Sequence, residues 1–282
     1  MNQEQRLRTM QVPDYTVQAF CPPRSKYCLL IPLFNEGERY FSQVKKMEAS
    51  GLFSKIDVIV CDAGSTDGTT DPTFLKRTHH RALLIRKGKG RYSTDLRMGY
   101  DYALREGYEG FITVDGNDKD DTAAVDLFIK ALDDGFDYIQ GSRFLKGGKG
   151  INTPFVRHWA LKLINEPVMS FCARKHLTDT TNGFRAYSKR FLTDSRVQPF
   201  RDIFWGYEFI YYLPVRACRL GFKTCEVPVI RAYPKGETPS KVGGIKGNIY
   251  QLSILWHTLW KHYNPESRYV FNVRGNSRER KV

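Results

Sequence analysis

Short apolar runs alternate with stretches of helical periodicity through the first half of the chain. The runs show no regular polar alternation, which is typical of strands buried on both faces of a parallel sheet. Between two of them, Leu96, Tyr100 and Leu104 recur at helical spacing, and strands that alternate with helices favour crossover connections. The five runs fall within residues 26–33, 55–62, 81–86, 110–115 and 136–142. The sequence therefore predicts an α/β domain with a largely parallel sheet and flanking helices.

Polar side chains collect where these runs end. Asp62 ends the second run, and Asp115 ends the fourth, with Asn117 and Asp118 close behind. Ligands of open α/β sheets bind at the carboxyl ends of the strands, and oxygen ligands there suit Mg²⁺ or Mn²⁺. The same segment, "DGNDKDD", also suits a turn followed by a helix N-terminus. The residues alone leave both interpretations open.

The charge balance favours an anionic partner. The chain has 44 Lys and Arg residues against 30 Asp and Glu, a net charge of +14. Nucleic acid, nucleotide phosphates and an acidic membrane surface all fit that charge. No nucleic-acid-binding module is recognisable, and a Walker loop, a G-x-G-x-x-G turn and a G-x-S-x-G elbow are all missing from the sequence. Six cations could clamp phosphates: Lys87, Lys89, Arg91, Arg143, Lys235 and Lys241.

Cysteine spacing and hydropathy indicate a cytoplasmic protein. The six cysteines form no C-x-x-C pair, so we expect reduced, mostly buried thiols. The N-terminus has no apolar core of a secretory signal, and no run approaches the ~18 apolar residues of a membrane span. The His79-His80 pair is expected in a surface connection.

The pattern changes after residue 145. Residues 154–176 are predicted to be helical with a break or kink at Pro167. Residues 245–263 form an amphipathic pattern whose tryptophans suit a bilayer interface, although the same stripe could pack on the sheet or on a partner chain. We therefore divide the chain into an N-terminal extension (1–25), a catalytic domain (26–242), and an amphipathic helix with a basic tail (243–282).

Seven motifs occur in a distinctive order. They are "IPLFNEGE", "DVIVCDAGSTDGT", "GKGRYSTDLRMGYDYA", "FITVDGNDKD", "DYIQGSRF", "TDTTNGFRAYSKRFL" and "CEVPVIRAY…GETPSKVGG". Together they resemble family 2 glycosyltransferases of the GT-A fold, most closely the dolichyl-phosphate mannosyltransferase branch, over about residues 26–250. The resemblance implies a Rossmann-like, mixed but mostly parallel sheet.

The resemblance also implies an activity. It suggests an inverting transfer of a sugar from a nucleotide-sugar, GDP-mannose or a UDP-sugar, to a polyprenyl phosphate such as dolichyl or undecaprenyl phosphate. Such an enzyme would work peripherally at the cytosolic membrane face with Mg²⁺ or Mn²⁺, with a possible membrane partner subunit or as a homo-oligomer, and without nucleic acid. The alternative within the fold is a hydroxyl acceptor in polysaccharide or glycan assembly, with Asp179 or Glu208 as base. A nucleic-acid-binding protein and an inactive scaffold are the competing classes.

The resemblance assigns roles to individual residues. The donor set is Pro32, Phe34, Asn35, Glu36, Asp62, Ser65, Lys89, Asp115, Gly116 and Arg231. The metal set is Asp115, Asn117 and Asp118. The acceptor set is Arg143, Arg157 and Asn182. The catalytic set is Asp115, Arg143, Asp179 and Lys241.

Three departures from the family pattern stand out. Ala63 occupies the position of a second acid, which puts base recognition in doubt. Asn117 replaces an acid of the D-x-D motif, so Asp118 is an alternative ligand. The "GETPSK" loop is longer than usual, so Lys235 could take the role of Arg231.

Overall fold

The computed structural model describes residues 10–234 and 244–268, and its main feature is an eight-stranded sheet of order β1-β4-β3-β2-β5-β8-β6-β9. These strands are β1 Tyr15–Ala19, β2 Tyr27–Leu33, β3 Asp57–Asp62, β4 Ala82–Arg86, β5 Gly110–Thr113, β6 Tyr138–Ser142, β8 Arg185–Ser188 and β9 Thr224–Pro228. A two-stranded parallel sheet pairs β7 Lys149–Ile151 with β10 Ile230–Ala232.

Helices cover both faces of the large sheet. They are α1 Glu38–Ala49, α2 Pro72–Arg77, α3 Tyr92–Arg105, α4 Val125–Asp133, α5 Phe155–Ala160, α6 Glu166–Ala173, α7 Lys189–Leu192, α8 Glu208–Arg219 and α9 Gly244–Leu259. Short 3₁₀ turns lie at Leu52–Ser54 and Thr122–Ala124, and a π-helical turn lies at Leu161–Asn165. Within the described ranges, no helix is both long and apolar enough to span a bilayer.

The sheet is mixed and mostly parallel, which confirms the prediction. β2 pairs in parallel with β3 and β5, whereas β8 lies antiparallel between β5 and β6. All six residues of β3 are buried, as its uninterrupted apolar run predicts. The carboxyl ends of β2, β3, β5 and β6 therefore meet at one edge, together with the start of β8.

Successive side chains of β2 pack into two different hydrophobic cores, one on each face of the sheet, because side chains alternate across a strand. Leu29 and Ile31 pack with α1, α2 and α4, whereas Cys28 and Leu30 pack with α3, α8 and α9. The approach of α3 is close: a Cβ on Gly99 would lie 2.6 Å from Cys61 Sγ. All six cysteines are free, two of them buried and four partly buried.

Three elements refine the boundaries expected from the sequence. Residues 15–19, expected in an extension, add β1 to the sheet edge by antiparallel pairing with β4. The predicted irregularity near Pro167 is the π-helical turn, which ends two residues before the proline. The C-terminal helix ends at Leu259 rather than near residue 263.

Candidate active site at the carboxyl edge of the sheet

Arg231 joins two aspartates at the carboxyl edge. Its Nη2 donates to Asp115 Oδ2 at 3.1 Å, and its Nη1 pairs with Asp120. The side chain of Asp115 is 24% exposed, whereas that of Asp120 is fully buried. Burial raises the pKa of Asp120 to about 6, against the opposing charge of Arg231. Asp115 is therefore the carboxylate that solvent reaches, and Asp120 is the internal counter-ion of Arg231.

The three predicted metal ligands diverge. Asn117 Nδ2 donates to Asp115 Oδ2 at 3.4 Å, so these two side chains are neighbours. Asp118 has a left-handed backbone (φ 57°), and its carboxylate turns to α1. There it accepts from Ser42 Oγ at 2.7 Å and pairs with Lys46 Nζ at 2.7 Å. The structure brings Asp115 and Asn117 together and ties Asp118 to α1.

The oxygen atoms available suit a cation that its substrate helps to bind. In the described part of the chain, no group of three or more His, Cys, Asp or Glu side chains is arranged to hold a metal. Asp115 offers one hard ligand, and the amide oxygen of Asn117, which here accepts from the Lys119 backbone at 3.4 Å, would supply a second once the amide rotates. Mg²⁺ is usually held by one or two carboxylates with substrate phosphates and water. The ion pair with Arg231 shows that Asp115 already attracts a cation. The site fits a substrate-completed metal better than a metal caged by protein alone.

The loops after β2 and β3 are joined by hydrogen bonds. Buried Asp62 accepts from the backbone of Gly64 at 2.8 Å and from Ser65 Oγ at 2.6 Å. Ser65 Oγ accepts in turn from the Asn35 backbone at 3.0 Å, and Thr66 donates to Asn35 Oδ1 at 2.8 Å. Asp62 therefore shapes the loop after β3 through its own oxygens.

The remaining donor residues lie around these loops. Pro32 lies within β2, Phe34 is 44% exposed beside it, and Glu36 lies 3.8 Å from Arg39. Gly116 leaves no room for a side chain, since its Cβ would approach Leu33 Cδ1 to 2.6 Å. Lys89 is exposed in the loop after β4.

Arg143 and Asp179 form a buried bidentate pair. Arg143 Nε donates to Asp179 Oδ2 at 2.7 Å, and Nη2 donates to Oδ1 at 2.8 Å. The side chains are 2% and 1% exposed. Burial opposes ionisation of Asp179, but the charge and hydrogen bonds of Arg143 outweigh it and hold its pKa below the ordinary value. An aspartate in this state is a weak base.

Arg185 organises the loop predicted to face the acceptor, and sequence reasoning assigned it no role. Its buried guanidinium donates to the carbonyls of Thr180 at 2.9 Å, Asn182 at 2.7 Å and Ile210 at 2.8 Å. Its position directly after "TTNGF" was the available signal. Asn182 is buried, and its Oδ1 lies 3.4 Å from Arg231 Nη1, so this loop meets the charged cluster.

The other predicted residues are less defined. Lys241 and Lys235 lie outside the described residues, as does the side chain of Arg157. Glu208 is buried at the start of α8, and its Oε1 accepts from Tyr250 of α9 at 3.0 Å. Burial raises the pKa of Glu208.

A mixed, mostly parallel sheet with a partly exposed aspartate at its carboxyl edge is the architecture of the GT-A class. Solved structures support that fold. Glucosyl-3-phosphoglycerate synthase of Mycobacterium tuberculosis, solved with Mn²⁺, uridine diphosphate and glucosyl-3-phosphoglycerate, matches with a TM-score of 0.58 at 15% identity, covering 86% of this chain and 81% of that one. The chain belongs to glycosyl transferase family 2, whose family model matches residues 28–195. The family expected from the motifs is confirmed.

Curated relatives agree with that family. A polyprenol monophosphomannose synthase of Mycolicibacterium smegmatis is 28% identical over 210 residues, 73% of this chain and 77% of that protein. An undecaprenyl-phosphate mannosyltransferase of Micrococcus luteus is 26% identical over 232 residues, 80% of this chain and 92% of that protein. These proteins are what the chain resembles, and they support glycosyltransferase activity.

Proposed function

We propose that the protein is an inverting glycosyltransferase that moves a hexose from a nucleoside-diphosphate sugar to a polyprenyl phosphate. The observation that carries this proposal is the pairing of partly exposed Asp115 with Arg231 at the carboxyl edge of the sheet. A cation and a carboxylate at this position suit a diphosphate and its metal. The relatives, named as polyprenyl-phosphate mannosyltransferases, support the choice of acceptor.

Charge neutralisation of the leaving diphosphate is the main requirement of the reaction. Arg231 contributes a buried positive charge beside Asp115, and its guanidinium is held there by Asp115 and Asp120. Asp115 and Asn117 would hold Mg²⁺ or Mn²⁺, and that ion would supply further electrostatic stabilisation of the diphosphate when bound. The joined loops after β2 and β3, with Asp62 inside, would hold the nucleoside in place.

The acceptor side favours a phosphate over a hydroxyl. A hydroxyl needs a general base, whereas a phosphate monoester is already an anion near neutral pH. The two carboxylates that could act as base are both engaged, Asp179 by Arg143 and Glu208 by Tyr250. Arg143, Arg157 and Asn182 remain our candidates for holding the acceptor.

Exposed apolar side chains support work at a membrane surface. We call this set the aromatic face: Phe155, Trp159, Leu163, Ile164, Phe171, Ile249, Leu252, Trp256 and Trp260. The helices that carry it, α5–α6 and α9, are neighbours, because α6 contacts α9. Trp and Phe on amphipathic helices are typical of segments that lie in the bilayer interface. We therefore place this face on the membrane that contains the acceptor.

The test is transfer from radiolabelled GDP-mannose or UDP-glucose to a polyprenyl phosphate in detergent with Mn²⁺. We expect label in an organic-solvent-extractable product for the wild type and for Asp118→Asn, whose carboxylate faces α1. We expect none for Asp115→Asn. Label confined to a water-soluble glycan would reject the lipid acceptor and favour the hydroxyl alternative.

A further inference from the structure

A cavity of about 490 Å³ lies where the C-terminal ends of α6, α8 and α9 meet. It is remote from the carboxyl edge of the sheet. α8 begins next to Gly206, whose carbonyl accepts from the backbone of Ser93 at the start of α3, and it reaches the cavity at Arg219. The twelve residues from Glu208 to Arg219 span about 16 Å of helix. The cavity is thus a separate place in the fold.

The cavity has an excess of positive charge. Of its four cations, Arg216 is paired with Glu266 through two contacts of 3.0 Å. In the ranges that the structure describes, no carboxylate pairs with the other three, which are Arg174, Arg219 and Lys261. Each helix end contributes roughly half a negative charge, so full charges on three side chains leave the cavity positive.

Exposed aromatic side chains border these cations. Phe171 lines the cavity and is 75% exposed. Trp260 precedes Lys261 in the chain, and its ring centroid lies 5.5 Å from that of Trp256. Both tryptophans and Phe171 belong to the aromatic face. Aromatic rings beside lysine and arginine are the pattern that anchors proteins at the level of lipid headgroups.

We propose that this cavity binds the phosphate of an anionic phospholipid, with Phe171 and Trp260 inserted beside it. Charge complementarity favours an anionic bilayer as the occupant. The three cations have no carboxylate partners among the described residues, and they lie beside exposed apolar side chains. α6 and α9 carry the aromatic face away from the cavity, and Tyr250 of α9 contacts Glu208 at the opposite end of α8. A headgroup held here would therefore orient the aromatic face along the membrane. This inference depends on the proposed function in one respect only, since that function places the aromatic face on a membrane.

The experiment measures binding of the full chain to vesicles of phosphatidylcholine, with and without phosphatidylglycerol. At low salt we expect the wild type to bind the anionic vesicles more than about tenfold more tightly, given the usual contribution of each basic residue near such a surface. The variant Arg174→Gln/Arg219→Gln/Lys261→Gln should lose most of that preference. Replacing the same residues by Arg174→Lys, Arg219→Lys and Lys261→Arg should keep it, and circular dichroism establishes that each variant is folded.

A matched control removes three cations from the other side of the sheet. Lys45→Gln/Lys76→Gln/Arg77→Gln changes α1 and α2, which pack on the face opposite α8 and α9. It should retain the anionic preference. Equal losses in the two Gln triples would overturn the proposal, because net charge alone would then explain binding. A wild type that binds both vesicles equally, or neither, would also overturn it, the latter result pointing to a protein partner.

The detergent transfer assay separates the two proposals. Intact transfer with no anionic preference would reject only the lipid cavity. A clear anionic preference with no transfer to polyprenyl phosphate would reject only the proposed function.

Discussion

Arg231 Nη2 lies 3.1 Å from Asp115 Oδ2, so a protein cation already pairs with the carboxylate that we propose as a metal ligand. The other arm of Arg231 is held by Asp120, which is buried. In the proposed function, a metal that binds with the donor at this edge would share Asp115 with Arg231. We therefore expect Asp115 to contribute mainly to donor binding and Asp120 mainly to the stability of the fold.

Asparagine substitutions should separate these two roles. Asp120→Asn removes a buried partner of Arg231, and we expect it to lower the free energy of unfolding by about 3 kcal/mol. Asp115→Asn should change stability by less than about 1 kcal/mol, since its ion pair is partly exposed, while abolishing measurable transfer. Urea unfolding and the transfer assay check both. Loss of transfer in Asp120→Asn without loss of stability would contradict this division.

The Arg143–Asp179 pair should behave as a coupled unit. Arg143→Met or Asp179→Leu alone leaves a buried charge unpaired, and each should cost about 3–5 kcal/mol of stability. The double variant should cost less than the two together, with a coupling free energy of about 2 kcal/mol or more. A double-mutant cycle in urea measures it. Additive losses would show that the pair contributes nothing as a pair.

His80 should make the fold sensitive to acid. Burial lowers its pKa from 6.5 to about 3. The unfolded chain then binds a proton that the native chain excludes, so the free energy of unfolding falls as the pH drops below 6.5. The loss from this group is about 1.4 kcal/mol per pH unit at most, and it ends near pH 3. His80→Asn should show a shallower decline between pH 6.5 and 5; an unchanged slope would assign the decline to other groups.

Arg185 should act through the loop that it holds. Arg185→Met leaves the carbonyls of Thr180 and Asn182 without their buried donor, which costs about 1–3 kcal/mol for each group left unsatisfied. We expect a higher KM for the acceptor, with donor affinity little changed, because the loop lies on the acceptor side. Steady-state kinetics with each substrate varied in turn tests this. An effect confined to the KM for the donor would contradict the proposal that this loop lies beside the acceptor.

The strands that position the site were predictable because each is an apolar run that needs no distant partner to be recognised. β3 and β5 are buried throughout, and Asp115 lies two residues after the end of β5. β8 was missed because it begins with a charged residue, Arg185, whose burial depends on carbonyls from other elements. β1 was missed because four of its five residues are exposed.

Other outcomes depended on contacts that the sequence does not show. The expectation that His80 lies on a surface connection was wrong: it is fully buried, with Nε2 2.9 Å from the Tyr40 hydroxyl and Nδ1 2.9 Å from Thr78 Oγ1. Asp118 follows the metal motif in sequence, but its left-handed backbone turns it toward Lys46. The spacing of residues along the chain could not have predicted that His80 is buried or that Asp118 turns toward Lys46.

Calorimetric titration of GDP and UDP, with and without Mn²⁺, tests the role of Asp115 most directly. We predict that at least one nucleotide binds the wild type and Asp118→Asn in a metal-dependent manner, and that Asp115→Asn weakens this binding by about tenfold or more, the loss of one charged ligand contact. Equal affinity in Asp115→Asn, or binding that Mn²⁺ does not affect, would contradict the account.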